Sequence, residues 1–214
     1  MYLSDVDLRE AIRSGRLIVD PPPTDELGAT SIDLHLDGVD QARVWDTGKL
    51  AKHNKAHGRP TLELDIARMT YGLISRKYLI APPHEREAKE ESVIRRDDSV
   101  IIKPMGFVLW QTKEVIGTPE ESPRYICFVN GKSTRSRTGL IVHLTAPTVH
   151  AGWNGNVTLE MTNCGPLDLV LHEGDAVAQL TVAMITCPPS LDVRLHESAT
   201  HGQSSVAGAE PGPT

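Results

Sequence analysis

The stretch that decides the fold reads Ser99-Val-Ile-Ile-Lys-Pro-Met-Gly-Phe-Val-Leu-Trp-Gln111. Two apolar runs, Val100–Lys103 and Phe107–Gln111, flank a Pro-Met-Gly turn, and short apolar runs bounded by Pro and Gly predict β-strands. The same signal recurs every 10 to 18 residues or so, in Tyr125–Val129, Leu140–Leu144, Val157–Thr162, Leu167–Leu171 and Ala176–Met184. Closely spaced strands without helical patterns between them predict a mainly β sandwich, jelly roll or barrel.

A short helix is predicted ahead of this β-rich half. Ser4 followed by Asp7 is typical of a capping box, in which each side chain satisfies a free backbone amide at the helix start. Leu8, Ala11 and Ile12 then form one apolar face, and a following glycine can end the helix. The sequence therefore predicts one N-terminal helix of about three turns.

The segments between this helix and Ser99 give weaker signals. Ile32–Leu36 alternates apolar and polar residues, which predicts a strand with one buried face. We expect the polar stretch Asp46–Pro60 to be an exposed loop and the charge-rich stretch Glu85–Asp98 to be a solvated connection. The pattern of Leu62–Ile80 fits either a helix or a broken strand.

Length and charge limit the possible classes of protein. The 214 residues are 39% hydrophobic and carry 22 basic and 28 acidic side chains, for a net charge of -6. This length predicts a single domain over residues 1–200, and the tail at residues 201–214, rich in Gly, Ser, Ala and Pro without apolar periodicity, is predicted to be flexible. The acidic balance disfavours a nucleic-acid partner.

The sequence also predicts a cytoplasmic protein with no membrane partner. No apolar run approaches the roughly 18 residues of a membrane span, and the N-terminus lacks the regions of a signal peptide. Three widely separated cysteines, Cys127, Cys164 and Cys187, contain no Cys-x-x-Cys pair. They therefore indicate neither a disulfide framework nor a structural zinc site.

Most of the residues that could carry chemistry lie between Asn130 and Cys164. No acidic residue occurs between Ser122 and Leu159. Cations and hydroxyls cluster there beside a glycine: Gly131, Lys132, Ser133, Thr134, Arg135, Ser136, Arg137 and Thr138. This cluster fits an anion site or a solvated basic loop. Neither the spacing of a Walker A loop nor that of a serine-hydrolase elbow is present.

Glu160 is the first carboxylate after this basic window. In an extended strand, Thr158, Glu160 and Thr162 share one face. A partly desolvated carboxylate near cations can act as a general acid and base, whereas the alternative is an exposed strand glutamate. His143 and His150 lie in no zinc-deaminase motif, and each is interpreted as structural or solvated.

Taken in order, these motifs resemble the dCTP deaminase family, a branch of the trimeric dUTPase-like superfamily. The family segment Gly-Arg-Ser-Ser-x-x-Arg-x-Gly-Leu resembles Gly131–Leu140, and its His-x-Thr-Ala resembles His143–Ala146. Its Gly-Trp-x-Gly, strand glutamate and Gly-x-x-x-x-Gln-Leu resemble Gly152–Gly155, Glu160 and Gly174–Leu180. The resemblance covers most of the chain but not residues 40–90.

The resemblance implies a dUTPase-like distorted jelly roll or β-barrel that assembles as a homotrimer with active sites between subunits. It implies zinc-independent hydrolytic deamination of a cytosine nucleotide, most simply dCTP and water to dUTP and ammonia. Glu160 would shuttle protons, Ser133 and Arg137 would position the water and the glutamate, and the backbone of Ala146 would hold the water. Mg²⁺ would bind through the nucleotide phosphates.

The resemblance also implies a set of nucleotide contacts. These are Lys132, Thr134, Arg135, Ser136, His150, Thr158, Leu159, Gln179 and Gln203.

Three departures from the family pattern leave alternatives open. Lys132 replaces an arginine, which removes a bidentate phosphate contact. His150 replaces the aspartate that contacts the sugar, and the tail retains only Gly202 and Gln203 of the lid motif. A dUTPase-like pyrophosphohydrolase is one alternative, disfavoured because its base would be this aspartate. The other is a catalytically inactive nucleotide-binding regulator.

Overall fold

A computed structural model describes residues 1–23, 27–59, 62–66, 71–88 and 90–190. Its helices are α1 (Asp5–Arg13), α2 (Thr47–Ala56), α3 (Tyr71–Tyr78) and α4 (Ser133–Ser136), with a 3-10 turn at Val39–Gln41. Its strands are β1 (Ile18–Asp20), β2 (Ile32–His35), β3 (Val44–Trp45), β4 (Leu79–Ile80), β5 (Val93–Arg95), β6 (Ser99–Ile102), β7 (Phe107–Gly117), β8 (Tyr125–Gly131), β9 (Leu140–Ile141), β10 (Thr148–Val149), β11 (Asn154–Asn163), β12 (Leu169–His172) and β13 (Ala176–Met184).

The strands form four antiparallel sheets. Two are four-stranded, with the orders β1-β7-β11-β9 and β10-β8-β13-β2. The others are a three-stranded sheet, β12-β6-β5, and a two-stranded ribbon, β3-β4. The structure thus confirms the mainly β fold with a short N-terminal helix that the sequence predicts.

One apolar core is shared by the sheets and by α1. Trp110 of β7, Leu159 of β11 and Leu180 of β13 are fully buried in it, with Leu8 of α1 against the same core. Alternation along each strand explains this, because every second side chain points to the same face. Burial of these apolar side chains is the main favourable term in folding, at about 25 cal/mol for each Å² removed from water.

Helix α1 forms as predicted. The Ser4 hydroxyl accepts from the Asp7 amide while the Asp7 carboxylate accepts from the Ser4 amide, which is the predicted capping box. Leu8 and Ala11 are buried, and Gly15 follows with a φ of 69°. A positive φ favours glycine, and this residue carries the chain out of the helix.

Most predicted strands are present with adjusted ends. The strand Ala176–Met184 matches β13 at both ends, and the runs at Phe107 and Val157 extend into the longer β7 and β11. The run Leu140–Leu144 is wrong beyond Ile141, where β9 ends. Its later residues turn towards β10, a two-residue strand that the sequence does not predict.

Two connections predicted to be unstructured contain regular elements instead. The stretch 46–60 is not a loop, because α2 occupies most of it, with Asp46 accepting the Lys49 amide at its start. Its Leu50 is buried against Ile74 and Tyr78 of α3, so tertiary packing stabilises a helix of weak amphipathicity. The stretch 85–98 contains β5, whose Val93 is buried.

Within the described ranges, no helix combines the length and the apolar character needed to cross a lipid bilayer. The predicted tail at residues 201–214, including Gln203, lies outside the described residues.

Candidate active site

Strand β11 places Glu160 at the centre of the candidate site. Its Cα partner across the sheet is Leu109 of β7, while the neighbouring Leu159 pairs with Trp110 and is fully buried. Glu160 therefore points away from the core, on the face that the alternation predicts, and its side chain is only partly exposed.

A β-bulge interrupts the pairing of β11 with β7 next to Glu160. The register between β11 and β7 shifts between Asn156 and Thr158, and the Val157 amide bonds to the Thr112 hydroxyl at 2.9 Å. The alternation along the strand predicts Val157 on the core face with Leu159, and Val157 does pack against the core. At the bulge it also joins Thr158 in the lining of a pocket beside Glu160.

Glu160 opens into a pocket of about 420 Å³, which we call the Glu160 pocket. Its lining is mostly apolar with a few polar groups: Tyr71, Leu109, Val129, Ala146, Thr148, Val149, His150, Trp153, Val157, Thr158 and Glu160. Pockets of this size and character hold small molecules. A carboxylate in the lining of such a pocket is partly withdrawn from water, as a general acid and base requires.

Four of the predicted site residues meet in this pocket. Ala146, His150, Thr158 and Glu160 all line it, although Thr158 and Glu160 lie on β11 and the other two lie just before and just after β10. Among the described residues, no other backbone group forms a hydrogen bond with the amide or the carbonyl of Ala146. Both groups can therefore bind a water. Leu159 is different, because its side chain lies in the core and only its backbone could contact a ligand.

The predicted anion loop, residues 131–139, forms a tight turn around α4. Gly131 ends β8, and the Lys132 amide bonds to the Val177 carbonyl of β13 at 3.0 Å. At the far end, Gly139 has a φ of 96°, and a Cβ there would lie 2.3 Å from the Gly165 amide nitrogen. Only glycine fits this position, which fixes the end of the loop against the chain that follows β11.

Two cations of the loop each have an acidic partner within the chain. Asp33 of β2 joins Lys132 to Gln179: one carboxylate oxygen pairs with the Lys132 ammonium and the other accepts from the Gln179 amide at 3.0 Å. Arg135 lies 3.6 Å from Asp175. For Arg137, the described residues provide no ion pair within 4.0 Å.

The loop and the Glu160 pocket are separate in the single chain. Ser133, Thr134, Arg135, Ser136 and Arg137 are all exposed. In the part of the chain that the structure describes, residues 132–138 contribute nothing to the lining of the Glu160 pocket. One chain therefore brings together the predicted carboxylate and water-holding backbone, but not the predicted serine and arginine.

Two further residues of interest were missed by the motif analysis. Tyr71, the first residue of α3, lines the Glu160 pocket, and burial together with the Glu160 carboxylate raises the pKa of this phenol to about 12. None of the motifs found in the sequence includes Tyr71, because those motifs leave residues 40–90 uncovered. For Asp33 the sequence does contain a signal, because the alternation places it on the polar face of β2, opposite Ile32 and Leu34.

Among the described residues, no three or more His, Cys, Asp or Glu side chains group closely enough to hold a metal ion.

Comparison with known proteins now identifies the family. A family model described as dCTP deaminase-like matches residues 2–185, which include every element from α1 to β13. The chain belongs to the dCTP deaminase-like family. Relatives within this family include a dCTP deaminase from Rhodospirillum rubrum, 31% identical over 191 residues that cover 89% of this chain and 86% of the relative.

A second member of the dCTP deaminase-like family carries a different description. It is a dUMP-forming dCTP deaminase from Corynebacterium jeikeium, 32% identical over 188 residues, covering 88% of this chain and 84% of the relative. Among solved structures, the 2'-deoxycytidine 5'-triphosphate deaminase from Agrobacterium tumefaciens shares the fold, with a TM-score of 0.54 at 13% identity. The match covers 92% of this chain and about half, 52%, of that chain.

Proposed function

We propose that this protein catalyses the zinc-independent hydrolytic deamination of a cytosine deoxynucleotide, converting dCTP and water to dUTP and ammonia. The observation that carries the proposal is the Glu160 pocket, in which a strand carboxylate and the free backbone of Ala146 line one cavity of about 420 Å³. A pyrimidine ring and one water fit a cavity of this order. Family membership supports the same chemistry.

In the proposed reaction, Glu160 moves protons and the pocket orients the reactants. A water held at the Ala146 backbone attacks C4 of the cytosine ring, while Glu160 accepts its proton and passes it to N3. A second proton, from the hydroxyl now on C4, travels through Glu160 to the amino group, which leaves as ammonia. The ring becomes uracil, and Glu160 returns to its starting state.

The cationic loop acts on the other parts of the substrate. We assign Lys132, Thr134, Arg135 and Ser136 to the phosphates, whose Mg²⁺ enters with the nucleotide as part of the substrate. Ser133 and Arg137 would orient the water and Glu160.

The exposure of residues 132–138 supports an active site formed by two subunits. Because residues 132–138 lie outside the lining of the Glu160 pocket in one described chain, we propose that a neighbouring subunit supplies Ser133 and Arg137. A closed homotrimer provides one such contact at each of its identical interfaces.

A nucleotide screen tests the proposed activity. Purified protein with Mg²⁺ is incubated with dCTP, dCMP, CTP and dUTP, and ammonia is measured together with the absorbance change from cytosine to uracil. We expect ammonia from dCTP above all. Absence of ammonia from every cytosine nucleotide would contradict deamination.

A dUMP-forming reaction is the second candidate, favoured by the description of the Corynebacterium jeikeium relative. Measuring pyrophosphate in the same samples separates the two products: dUTP formation releases ammonia alone, whereas dUMP formation releases one pyrophosphate for each ammonia. His150, where the dUTPase-like pattern has aspartate, argues for ammonia alone. Nucleotide binding with neither product would indicate an inactive regulator.

A further inference from the structure

The segment from β3 to β4, residues 44–80, adds a helical element to the β fold, and we call it the helical insert. It is joined to the site through backbone bonds: the Arg43 amide donates to the Leu109 carbonyl at 2.7 Å, and the Leu109 amide donates to the Arg43 carbonyl at 2.9 Å. Leu109 is also the Cα partner of Glu160. The insert is therefore anchored one strand away from the proposed proton shuttle.

The insert has a small core of its own that orients α3. Ile74 and Tyr78 are buried against Leu50 of α2, with Trp45 and Leu64 packed around them. This core holds the C-terminal part of α3 in place, which fixes the direction in which the first turn of the helix points.

Helical spacing places Tyr71 on the inner face of α3. Positions 71, 74 and 78 follow the i, i+3, i+7 pattern of one helix face, whereas Leu73 lies on the opposite face and is 61% exposed. Tyr71 is 44% exposed, because it extends beyond the small core and into the lining of the Glu160 pocket.

The chemistry of the Tyr71 side chain suits a nucleobase. Its phenol is protonated at neutral pH, and burial and the Glu160 carboxylate raise its pKa further, to about 12. A neutral aromatic ring does not repel Glu160 or a triphosphate, and aromatic rings bind bases by stacking.

We propose that Tyr71 contacts the pyrimidine ring of the substrate, so that the helical insert supplies an aromatic wall to the base-binding part of the Glu160 pocket. This inference rests on the proposed function for the identity of the base. It assigns a substrate-binding role to a segment to which the sequence motifs assign none.

Binding measured without turnover tests the inference. In a Glu160→Gln background, the dissociation constants of Mg²⁺-dCTP and of Mg²⁺-triphosphate, which has no base, are measured by calorimetry. We expect Tyr71→Ala to weaken dCTP binding by about tenfold, the effect of losing one stacking contact. Triphosphate binding should change by less than about twofold, because it makes no such contact.

Two further variants separate a base contact from a structural effect. Tyr71→Phe keeps the ring and should restore most of the dCTP affinity. Leu73→Ala lies on the same helix outside the pocket and should leave it unchanged. Unaltered dCTP binding by Tyr71→Ala, or equal loss of dCTP and triphosphate binding, would overturn the inference.

The same measurements keep the two proposals distinct. If the wild-type protein releases no ammonia but the Tyr71 variants show the expected binding pattern, only the proposed reaction fails. If ammonia is released and Tyr71→Ala binds dCTP normally, only the role of Tyr71 fails.

Discussion

The two parts of the candidate site are built in contrasting ways. The Glu160 pocket is assembled from β7, β8, β10, β11, the segments beside β10 and the helical insert, and several of its lining residues belong to the buried core of the protein. The loop of residues 132–138 is a surface turn whose hydroxyls and Arg137 are exposed. The position of Glu160 is thus fixed by long-range strand pairing, whereas the side chains of the loop project from the surface of the single chain.

The largest expected effect on activity comes from a substitution in the Glu160 pocket. Glu160→Gln keeps the size of the side chain but removes the base, so we expect ammonia release from dCTP to fall by a factor of about 10² to 10⁴. Steady-state ammonia assays measure this. The matched control, Glu121→Gln, alters an exposed carboxylate of the β7–β8 connection and should retain activity. Wild-type turnover by Glu160→Gln would refute the assigned mechanism.

In the loop, Arg137→Ala should lower the rate of ammonia release about a hundredfold, because one charged group that orients the reactants is lost. Mixing this variant with Glu160→Gln after joint refolding tests whether the two halves come from different subunits. If they do, mixed assemblies contain sites with both residues intact, and activity rises well above that of either variant. Activity no higher than that of the separate variants would place both halves in one chain.

A smaller effect, on stability, is expected where Asp33 of β2 contacts the loop. Asp33→Ala leaves Lys132 and Gln179 without their shared partner, and the three side chains are only partly exposed. We expect unfolding in urea to show a loss of about 1 to 2 kcal/mol. Glu10→Ala removes the exposed pair with Arg13 and should cost less than about 1 kcal/mol. Equal losses would show that Asp33 plays no special part in holding the loop.

The smallest expected effect is tested by thiol labelling, because one cysteine lies near the Glu160 pocket and another lies beside the loop. Cys127 lies behind the pocket, paired with Val149 of β10, and burial raises its pKa to about 12. Cys164 is exposed beside the loop, where its amide bonds to the Gly139 carbonyl at 2.8 Å. A thiol reagent at neutral pH should label Cys164 and the exposed Cys187 but spare Cys127, because the thiolate is the reactive form. Mass spectrometry of the peptides identifies the labelled sites, and early labelling of Cys127 would show a mobile pocket.

Local patterns were sufficient for the elements with strong periodicity. The capping box of Ser4 and Asp7, the alternation around Leu34 and the strand Ala176–Met184 all depend on neighbours close in sequence. By contrast, α2 has little apolar periodicity, and it forms because Leu50 finds Ile74 and Tyr78 more than twenty residues away. No local pattern contains that contact.

For the site, the family motifs brought Ala146, His150, Thr158 and Glu160 to attention, and the fold places these four in one pocket. The motifs did not reveal the bulge at Val157, where this residue lines the pocket while it packs against the core, since a bulge depends on the partner strand. They also gave no sign of Tyr71.

By itself, the sequence determined the β-rich fold, the N-terminal helix and the chemical types gathered around Gly131 and Glu160, because periodicity and motif spacing are properties of the linear chain. Only the tertiary structure decided that Tyr71 faces Glu160, that Asp33 ties Lys132 to Gln179, and that the loop lies outside the pocket. Each of these depends on which distant segments pack together, and that choice is made by burial of the whole core.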